Sequence, residues 1–245
     1  MSQFFRVASL VTFAAAALAP AAASAADGFA FNVGAVTDYR YRGISQSRLE
    51  PALQGGVDFT KGGFYLGTWG STIKWIKDAG GDSDVEIDLY GGYKGSVNKD
   101  LSFDVGFLTY QYPSNGFNPS ANTNEVYGAL TFGPVTGKYS HAFSELFGIP
   151  DSKGSGYFDL SGSFEWEGLS LVPHIGYQKV AGAASDLASY TDVSFTVSKD
   201  FNGLVVSGAL IATDADENVY VTGPFSGESK FLGKTTFVLG VKYNF

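Results

Sequence analysis

Alternating apolar residues at the end of the printed chain constrain the fold more than any other feature. Every second residue from 237 to 245 is apolar, and the residues between them are mostly small or polar. The apolar residues are Phe237, Leu239, Val241, Tyr243 and Phe245. A strand points successive side chains to opposite faces, so this segment predicts a β-strand with one apolar face. Nothing polar follows to cover that face, which indicates lipid as its solvent.

The same five residues resemble the C-terminal signature of bacterial outer-membrane barrels, in which the last strand ends on an aromatic residue. That resemblance implies that Phe237, Leu239, Val241, Tyr243 and Phe245 form an assembly signal. The expected partners are the barrel-assembly machinery, periplasmic chaperones, outer-membrane lipid and lipopolysaccharide. Deletion of Phe245 is then expected to block membrane insertion while secretion continues.

The start of the chain predicts a secretory signal peptide. Arg6 precedes an apolar run over residues 7–19, and the small residues 23–25 offer a cleavage site. The run is too short for a transmembrane helix. We therefore predict a signal peptide over 1–25 and a single β-barrel domain over 26–245.

Composition excludes several classes of function. The net charge of −8 argues against a nucleic-acid partner. The chain has no cysteine, so disulfides, thiol chemistry and zinc sites built on thiolates are excluded. Two histidines remain, His141 and His174. No cofactor or metal is predicted from these residues.

Alternation of apolar and polar residues recurs about 12 times after residue 26, which predicts an antiparallel up-and-down transmembrane β-barrel. Tight turns rich in glycine alternate with long loops, as in barrels with short periplasmic turns and long external loops. Aromatic residues flank the short turns and predict a girdle at the periplasmic interface. They are Phe59, Phe64, Tyr93, Phe132, Phe164, Trp166, Phe201 and Tyr243. The first strand is predicted to carry Thr37 and Tyr39 on its lipid-facing side.

Three early segments carry a family resemblance. They read YRYRGISQS at 39–47, PALQGGVD at 51–58 and GFYLGTWGS at 63–71, followed by EIDLYGGY at 86–93. These segments resemble the TorF family of proteobacterial outer-membrane barrels, which are classed as porins. The resemblance covers about the first third of the exported chain. It implies an outer-membrane barrel and a porin, and it supplies no substrate or catalytic residue.

The parity of the strands assigns charged residues to the lumen, because charge on the lipid-facing side is costly. The predicted pore-lining residues are Arg40, Arg42, Asp58, Glu86, Asp88, Asp104, Glu125, Lys138, Asp159 and Asp192. Asp38, Lys94 and Lys242 share this parity. Acidic residues outnumber basic ones, which predicts a weakly cation-preferring channel for small polar solutes or ions. The alternative is that acids and bases pair across a narrow lumen and close it.

Three arginines follow the first strand and allow two interpretations. Arg40, Arg42 and Arg48 could form one wall of a constriction facing Glu86 and Asp88, or bind lipopolysaccharide phosphates. Alternatively, they form structural ion pairs that fix the loop.

Two acidic loop clusters are interpreted as solvated loops rather than calcium sites, because their spacing matches no ordered calcium loop. They comprise Asp78, Asp82 and Asp84, and Asp214, Asp216 and Glu217.

An outer-membrane enzyme is the rival class. His141 and Ser144 lie near the external end of a strand, but residues three apart there point in different directions. His174 has lumen parity and is interpreted as a wall residue. The sequence therefore predicts a channel rather than an enzyme, with a structural or adhesive barrel as a further alternative.

Overall fold

The structure is a computed structural model, of which residues 27–245 are described here; the predicted signal peptide at 1–25 lies outside them. Two short helices, α1 (Trp75–Asp78) and α2 (Ser185–Ala188), interrupt a chain made mostly of strands. The strands are β1 (Gly28–Val36), β2 (Arg40–Tyr41), β3 (Ile44–Ser45), β4 (Ala52–Lys61), β5 (Phe64–Thr72), β6 (Val85–Ser96), β7 (Leu101–Gln111), β8 (Thr123–Phe132), β9 (Val135–Ala142), β10 (Gly156–Gly162), β11 (Phe164–Trp166), β12 (Leu169–Lys179), β13 (Tyr190–Phe201), β14 (Leu204–Thr213) and β15 (Thr236–Asn244).

The large sheet closes on itself. Each strand pairs antiparallel with its sequence neighbour, and β1 pairs with β15, with Val33 opposite Tyr243. β10 and β11 both pair with β12 and form one barrel strand interrupted at Ser163. The result is the predicted closed 12-strand antiparallel barrel, which is confirmed. With β10 and β11 counted as one, closure gives each of the 12 barrel strands two neighbours and removes the open edges that lipid does not tolerate.

The outer surface of the barrel is apolar. On β6, Ile87 is 37% exposed and Leu89 is 47% exposed. Asp88 lies between them and Glu86 precedes them, and both of these are buried. The alternating residues of β15 that the sequence placed on one face are likewise all exposed, from Phe237 to Phe245. The pattern is that of a wall with hydrocarbon outside and a polar lumen inside.

Aromatic side chains ring the rim that carries the short turns. All the residues predicted for the girdle are exposed there, and ring contacts join Phe64 to Tyr93 with centroids 4.8 Å apart. The turn between β13 and β14 shows why these connections are tight: Asn202 and Gly203 have φ of +59° and +94°. Positive φ at both central residues suits a two-residue hairpin turn. This rim is the periplasmic one in outer-membrane barrels.

The opposite rim carries the long connections 37–51, 73–84, 112–122, 143–155, 180–189 and 214–235. Within residues 27–245, neither helix is long or apolar enough to cross a bilayer. The first connection departs from the sequence-based expectation. β1 ends at Val36, and Tyr39, predicted to face lipid, is only 4% exposed. The chain turns inward after β1 instead of extending the alternation.

Charge placed on the lipid face is expected to destabilise the barrel according to its depth. Leu210, near the middle of β14, is 54% exposed and lies opposite Phe195 on β13 and Phe237 on β15. Leu210→Lys is expected to lower the free energy of unfolding by about 2–4 kcal/mol. Leu204→Lys, on the same strand and face but at the periplasmic rim, is expected to cost about 0–1 kcal/mol. Urea titration in lipid vesicles measures both, and equal losses would contradict the assigned membrane depth.

Candidate functional site in the barrel lumen

The barrel interior collects the charged residues that the sequence assigned to it. On the strands, the structure places Asp58, Glu86, Asp88, Asp104, Glu125, Lys138, Asp159 and Asp192 on the inner face. The most enclosed are Glu86 and Glu125, at 1% exposed each. Arg40 and Arg42 are also inside, but on the first external connection and not on a wall strand. That connection therefore decides the shape of the lumen.

Residues 38–47 of this connection fold back into the barrel, and we call them the lumen hairpin. Its strands β2 and β3 pair through Arg40 with Ser45 and Tyr41 with Ile44, and all four are buried. Its tip, Gly43, lies against the β13–β14 wall, where an added Cβ would sit 2.4 Å from Thr213 Cγ2. The lumen hairpin thus carries the chain from β1 past the inner side of β15 to strands β13 and β14.

Arg42 fastens the lumen hairpin to two wall strands. Its Nη2 donates to both carboxylate oxygens of Glu125, at 2.9 and 2.7 Å, and its Nη1 donates to Gln178 Oε1 at 2.6 Å. The guanidinium also stacks on the rings of Tyr41 and Tyr157, 4.8 and 4.3 Å from their centroids. With the arginine and the glutamate side chains each 2% exposed, this is a buried ion pair.

Arg40 holds the hairpin together and joins it to the segment before β15. Its Nε donates to Asp38 at 2.6 Å, and its Nη1 donates to the carbonyls of Gly43 and Leu232 at 2.7 and 2.9 Å. Its Nη2 donates to Thr236 Oγ1 at 2.8 Å. Every terminal nitrogen of this arginine is therefore engaged within the protein.

Of the two interpretations of these arginines, the structural one describes the geometry. Neither Arg40 nor Arg42 is exposed to lipopolysaccharide, and Arg42 faces Glu125 rather than the predicted Glu86 and Asp88. The guanidinium of Arg48 donates hydrogen bonds to the carboxylate of Asp78. This hydrogen bonding raises the pKa of Arg48. The paired geometry arises because the connection folds inward, where a guanidinium needs a carboxylate partner.

The interpretation of the first acidic cluster as a solvated loop is wrong for Asp78. It is 1% exposed and bound to Arg48, whereas Asp82 and Asp84 are exposed. Asp84 pairs with Lys77 at 2.9 Å. Within residues 27–245, no group of three or more histidine, aspartate or glutamate side chains that could hold a metal ion is found.

An exposed ion pair also lies beside the lumen hairpin. Lys74 binds Glu50, and this hydrogen bond holds the pKa of Glu50 below its ordinary value. Because both side chains are more than a third exposed, solvent screens the pair. It contrasts with the buried pair of Arg42 and Glu125.

Phenols and carboxylates line the wall from β4 to β9 on the periplasmic side of the hairpin. Tyr90 Oη donates to Asp58 Oδ1, and Tyr65 Oη donates to Asp104 Oδ1, each at 2.6 Å. Lys138 Nζ lies 4.0 Å from the ring centroid of Tyr127. This half of the lumen offers charged and aromatic groups along one wall.

The facing wall is formed by smaller side chains. On β13 and β14 the inner positions include Thr196, Ser198, Ser207 and Ala209, all less than a tenth exposed. Small hydroxyl-bearing and methyl side chains extend less far into a lumen than tyrosine or lysine. The cross-section is therefore asymmetric, with bulk and charge on one side and short side chains on the other.

His174 forms a further polar group on β12. Its Nε2 lies 2.7 Å from Asp159 Oδ2, and Tyr157 Oη lies 3.2 Å from the same nitrogen and donates to Asp192 Oδ2 at 2.8 Å. Nδ1 has no hydrogen-bond partner among the described residues and lies 3.6 Å from Asp192 Oδ1. The prediction of a wall residue at His174 agrees with this placement, with one nitrogen partnered.

His141 and Ser144 do not form a nucleophile and base. Ser144 Oγ donates to the carbonyl of Glu145 at 3.0 Å and accepts from the backbone amide of Asn124 at 2.9 Å. His141, on β9, lies between the inward-facing residues Ser140 and Ala142 and so points outward. The hydroxyl is thus held by backbone groups, and a triad requires a base at that oxygen.

Several lumen residues were not singled out from the sequence. Tyr39 donates to Glu86 at 2.5 Å, Tyr112 donates to Glu86 at 2.7 Å, and Tyr41 donates to Tyr110 at 2.9 Å. Tyr110 lies an even number of residues from Asp104 on β7, so alternation could have placed it on the inner face. For Tyr39 the parity pointed the wrong way, because it continued the period of β1.

Comparison with solved structures shows the fold. The chain is similar to the KdgM porin, with 11% identity, 88% of this chain and 99% of that chain covered, and a TM-score of 0.55. It is also similar to the KdgM porin in complex with disordered oligogalacturonate, with the same identity and coverage and a TM-score of 0.54. OprD from Pseudomonas aeruginosa gives 12% identity, 89% and 65% coverage, and a TM-score of 0.40.

The closed barrel with its apolar exterior is an outer-membrane barrel, and the predicted localisation is confirmed. A search of curated proteins finds no match to the sequence. The TorF label stays a prediction. A family model described as "Bacterial protein of unknown function (Gcw_chp)" matches residues 20–245, and the chain therefore belongs to the Gcw_chp family.

Proposed function

We propose that this barrel is a narrow outer-membrane channel for small polar solutes or ions, with a weak preference for cations. The observation that carries this proposal is the charge of the lumen. Its acidic residues outnumber its basic ones, and rings of acidic side chains favour cations. The acids are Asp38, Asp58, Glu86, Asp88, Asp104, Glu125, Asp159 and Asp192, against Arg40, Arg42, Lys94, Lys138 and Lys242.

The lumen hairpin sets the size of the proposed solute. It occupies the external half of the barrel and leaves the short side chains of β13 and β14 facing the wall of tyrosines and carboxylates. A solute would pass along this asymmetric gap. The KdgM porin has been solved with oligogalacturonate, an acidic polymer. An acid-rich lumen repels such a chain, so we propose small cations and neutral solutes here.

The proposed partners follow from the barrel surface. Its apolar belt contacts outer-membrane lipid, and its external connections meet lipopolysaccharide. We propose that the exposed residues of β15 are read by the barrel-assembly machinery after delivery by periplasmic chaperones. They are Phe237, Leu239, Val241, Tyr243 and Phe245.

One observation favours a second candidate, a structural barrel without transport. The lumen hairpin is tied to the walls by a buried ion pair and by the contacts of Arg40, so the resting barrel has much of its external half filled. A barrel that never opens would serve the envelope mechanically. Conductance separates the two candidates.

The proposed function is tested in a planar bilayer with a salt gradient across the refolded protein. We expect discrete small steps and a reversal potential directed toward cations. Asp58→Asn, which removes a lumen charge, is expected to move the reversal potential toward zero. Asp200→Asn is the matched control, because Asp200 is exposed at the β13–β14 turn and bonds the amide of Gly203 at 2.7 Å.

An anion-directed potential would overturn the cation preference. Silence from protein shown to be folded would favour the structural barrel.

A further inference from the structure

Three buried carboxylates face the lumen beneath the lumen hairpin, on strands β6 and β8. Glu86 and Asp88 occupy successive inner positions of β6, and Glu125 lies on β8 across β7. All three are 1–2% exposed. Among the described residues, the salt bridge formed at this group is that of Arg42 with Glu125. The group therefore holds more negative than positive charge.

The phenol and guanidinium donors near these three carboxylates bind the two glutamates. Glu86 accepts from Tyr39 and Tyr112, and Glu125 accepts from both the guanidinium of Arg42 and, at 3.3 Å, the hydroxyl of Tyr110. Within residues 27–245, Asp88 Oδ1 is buried and has no hydrogen-bond partner. A buried carboxylate without a partner is costly, because it has lost its hydration and gained no hydrogen bond or counter-charge in return.

The surroundings of Asp88 suit a small cation. In the sheet register, Asp88 lies between Trp69 on β5 and Tyr110 on β7. Hairpin tyrosines cover both rings: Tyr39 contacts Trp69 and Tyr41 contacts Tyr110, each with centroids 5.4 Å apart. These edge-to-face contacts enclose the space around Asp88 from the external side.

We propose that Asp88 binds a monovalent inorganic cation beneath the lumen hairpin, with Glu86 and Glu125 adding to its attraction. The cation supplies the counter-charge that the protein leaves out at this carboxylate. A transition metal is not proposed, because the groups at this site are carboxylates and not the imidazole or thiolate ligands that such metals prefer. The inference rests on the proposed function in one respect, since this site would be the point in the channel at which cations are preferred.

The test uses refolded full-length protein in detergent micelles and does not require conduction. Thermal unfolding is compared in sodium chloride and in N-methyl-D-glucamine chloride at equal ionic strength, because the bulky organic cation cannot enter a site this enclosed. We expect sodium to raise the unfolding midpoint of the wild type. In Asp88→Asn, which keeps the shape and removes the charge, the sodium-specific rise is expected to be lost, while Asp200→Asn retains it.

The outcomes separate this site from the channel. Equal wild-type midpoints in the two salts would overturn the site, even with open channels in bilayers. A sodium-specific rise that persists in Asp88→Asn would also overturn it. A rise that depends on Asp88 would support the site even if the bilayer stays silent. Should the variant fail to refold, equal wild-type midpoints would still overturn the site.

Discussion

Replacing Glu125 with alanine is expected to release the lumen hairpin and raise the single-channel conductance severalfold. Removing one partner of a buried ion pair leaves the other charge uncompensated, at a cost of about 3–5 kcal/mol. Here the group left without a counter-charge is the guanidinium of Arg42, whose side chain is 2% exposed and would keep its hydrogen bond to Gln178 and its ring contacts. Moving the hairpin toward water relieves that cost, because the guanidinium is then solvated.

Two measurements check this result. Conductance reports the opening of the lumen. Maleimide labelling of Ile44→Cys reports whether the hairpin leaves it, because Ile44 is 6% exposed when docked and the chain has no cysteine of its own. We expect labelling from the external side to accelerate when Glu125→Ala is added to Ile44→Cys.

Glu50→Ala is the matched control for this experiment. It breaks a glutamate–cation pair near the same hairpin, but the side chains of Lys74 and Glu50 are 40% and 37% exposed. Exposed pairs contribute about 0–1 kcal/mol, so conductance and labelling should stay at wild-type levels. Unchanged conductance and labelling in Glu125→Ala would show that the pair does not hold the hairpin in place.

Gly43→Ala is expected to undock the tip of the lumen hairpin and increase conductance as well. Gly43 has φ of +80°, which an L-residue adopts at a cost of about 1–2 kcal/mol. In addition, the new Cβ would lie 2.4 Å from Thr213 Cγ2 and 2.8 Å from Asp192 Cβ. Contacts this short force the tip away from the β13–β14 wall.

Gly133→Ala separates backbone strain from steric conflict. Gly133 also has a positive φ, +55°, but a Cβ added there meets nothing within 4 Å. It lies in the short turn between β8 and β9, at the periplasmic rim. We expect a loss of stability from strain alone and unchanged conductance in bilayers. An equal conductance change in both variants would argue against a role for the contact between hairpin and wall.

Glu125→Ala and Gly43→Ala both act on the lumen hairpin, but each removes a different contact between the hairpin and the wall. Glu125→Ala acts on a charge pair with β8, whereas Gly43→Ala acts on packing against β13 and β14. If the hairpin only stabilises the barrel, both variants would have a lower free energy of unfolding and an unchanged conductance. A hairpin that closes the lumen would change conductance in both. The combined result therefore bears on the choice between a channel and a structural barrel.

The sequence by itself determined the barrel and the two faces of its wall. Alternation has a period of two residues, so Ile87 and Leu89 are separated from Glu86 and Asp88 by local geometry alone. Lipid enforces that separation, because a charge outside and an unpaired edge are both costly there. The alternation of short turns and long connections likewise indicated the number of strands and the orientation of the barrel.

Only the tertiary structure decided the state of the lumen. The pattern YRYR after β1 continued the strand period and placed Tyr39 toward lipid, whereas the chain turns inward and binds Tyr39 to Glu86, 47 residues away. Arg42 finds its partners 83 and 136 residues further along the chain. Such contacts depend on barrel closure, which brings distant strands to one lumen. Periodicity in the sequence describes a strand and its two sides, and it contains no information about which loop enters the space that closure creates.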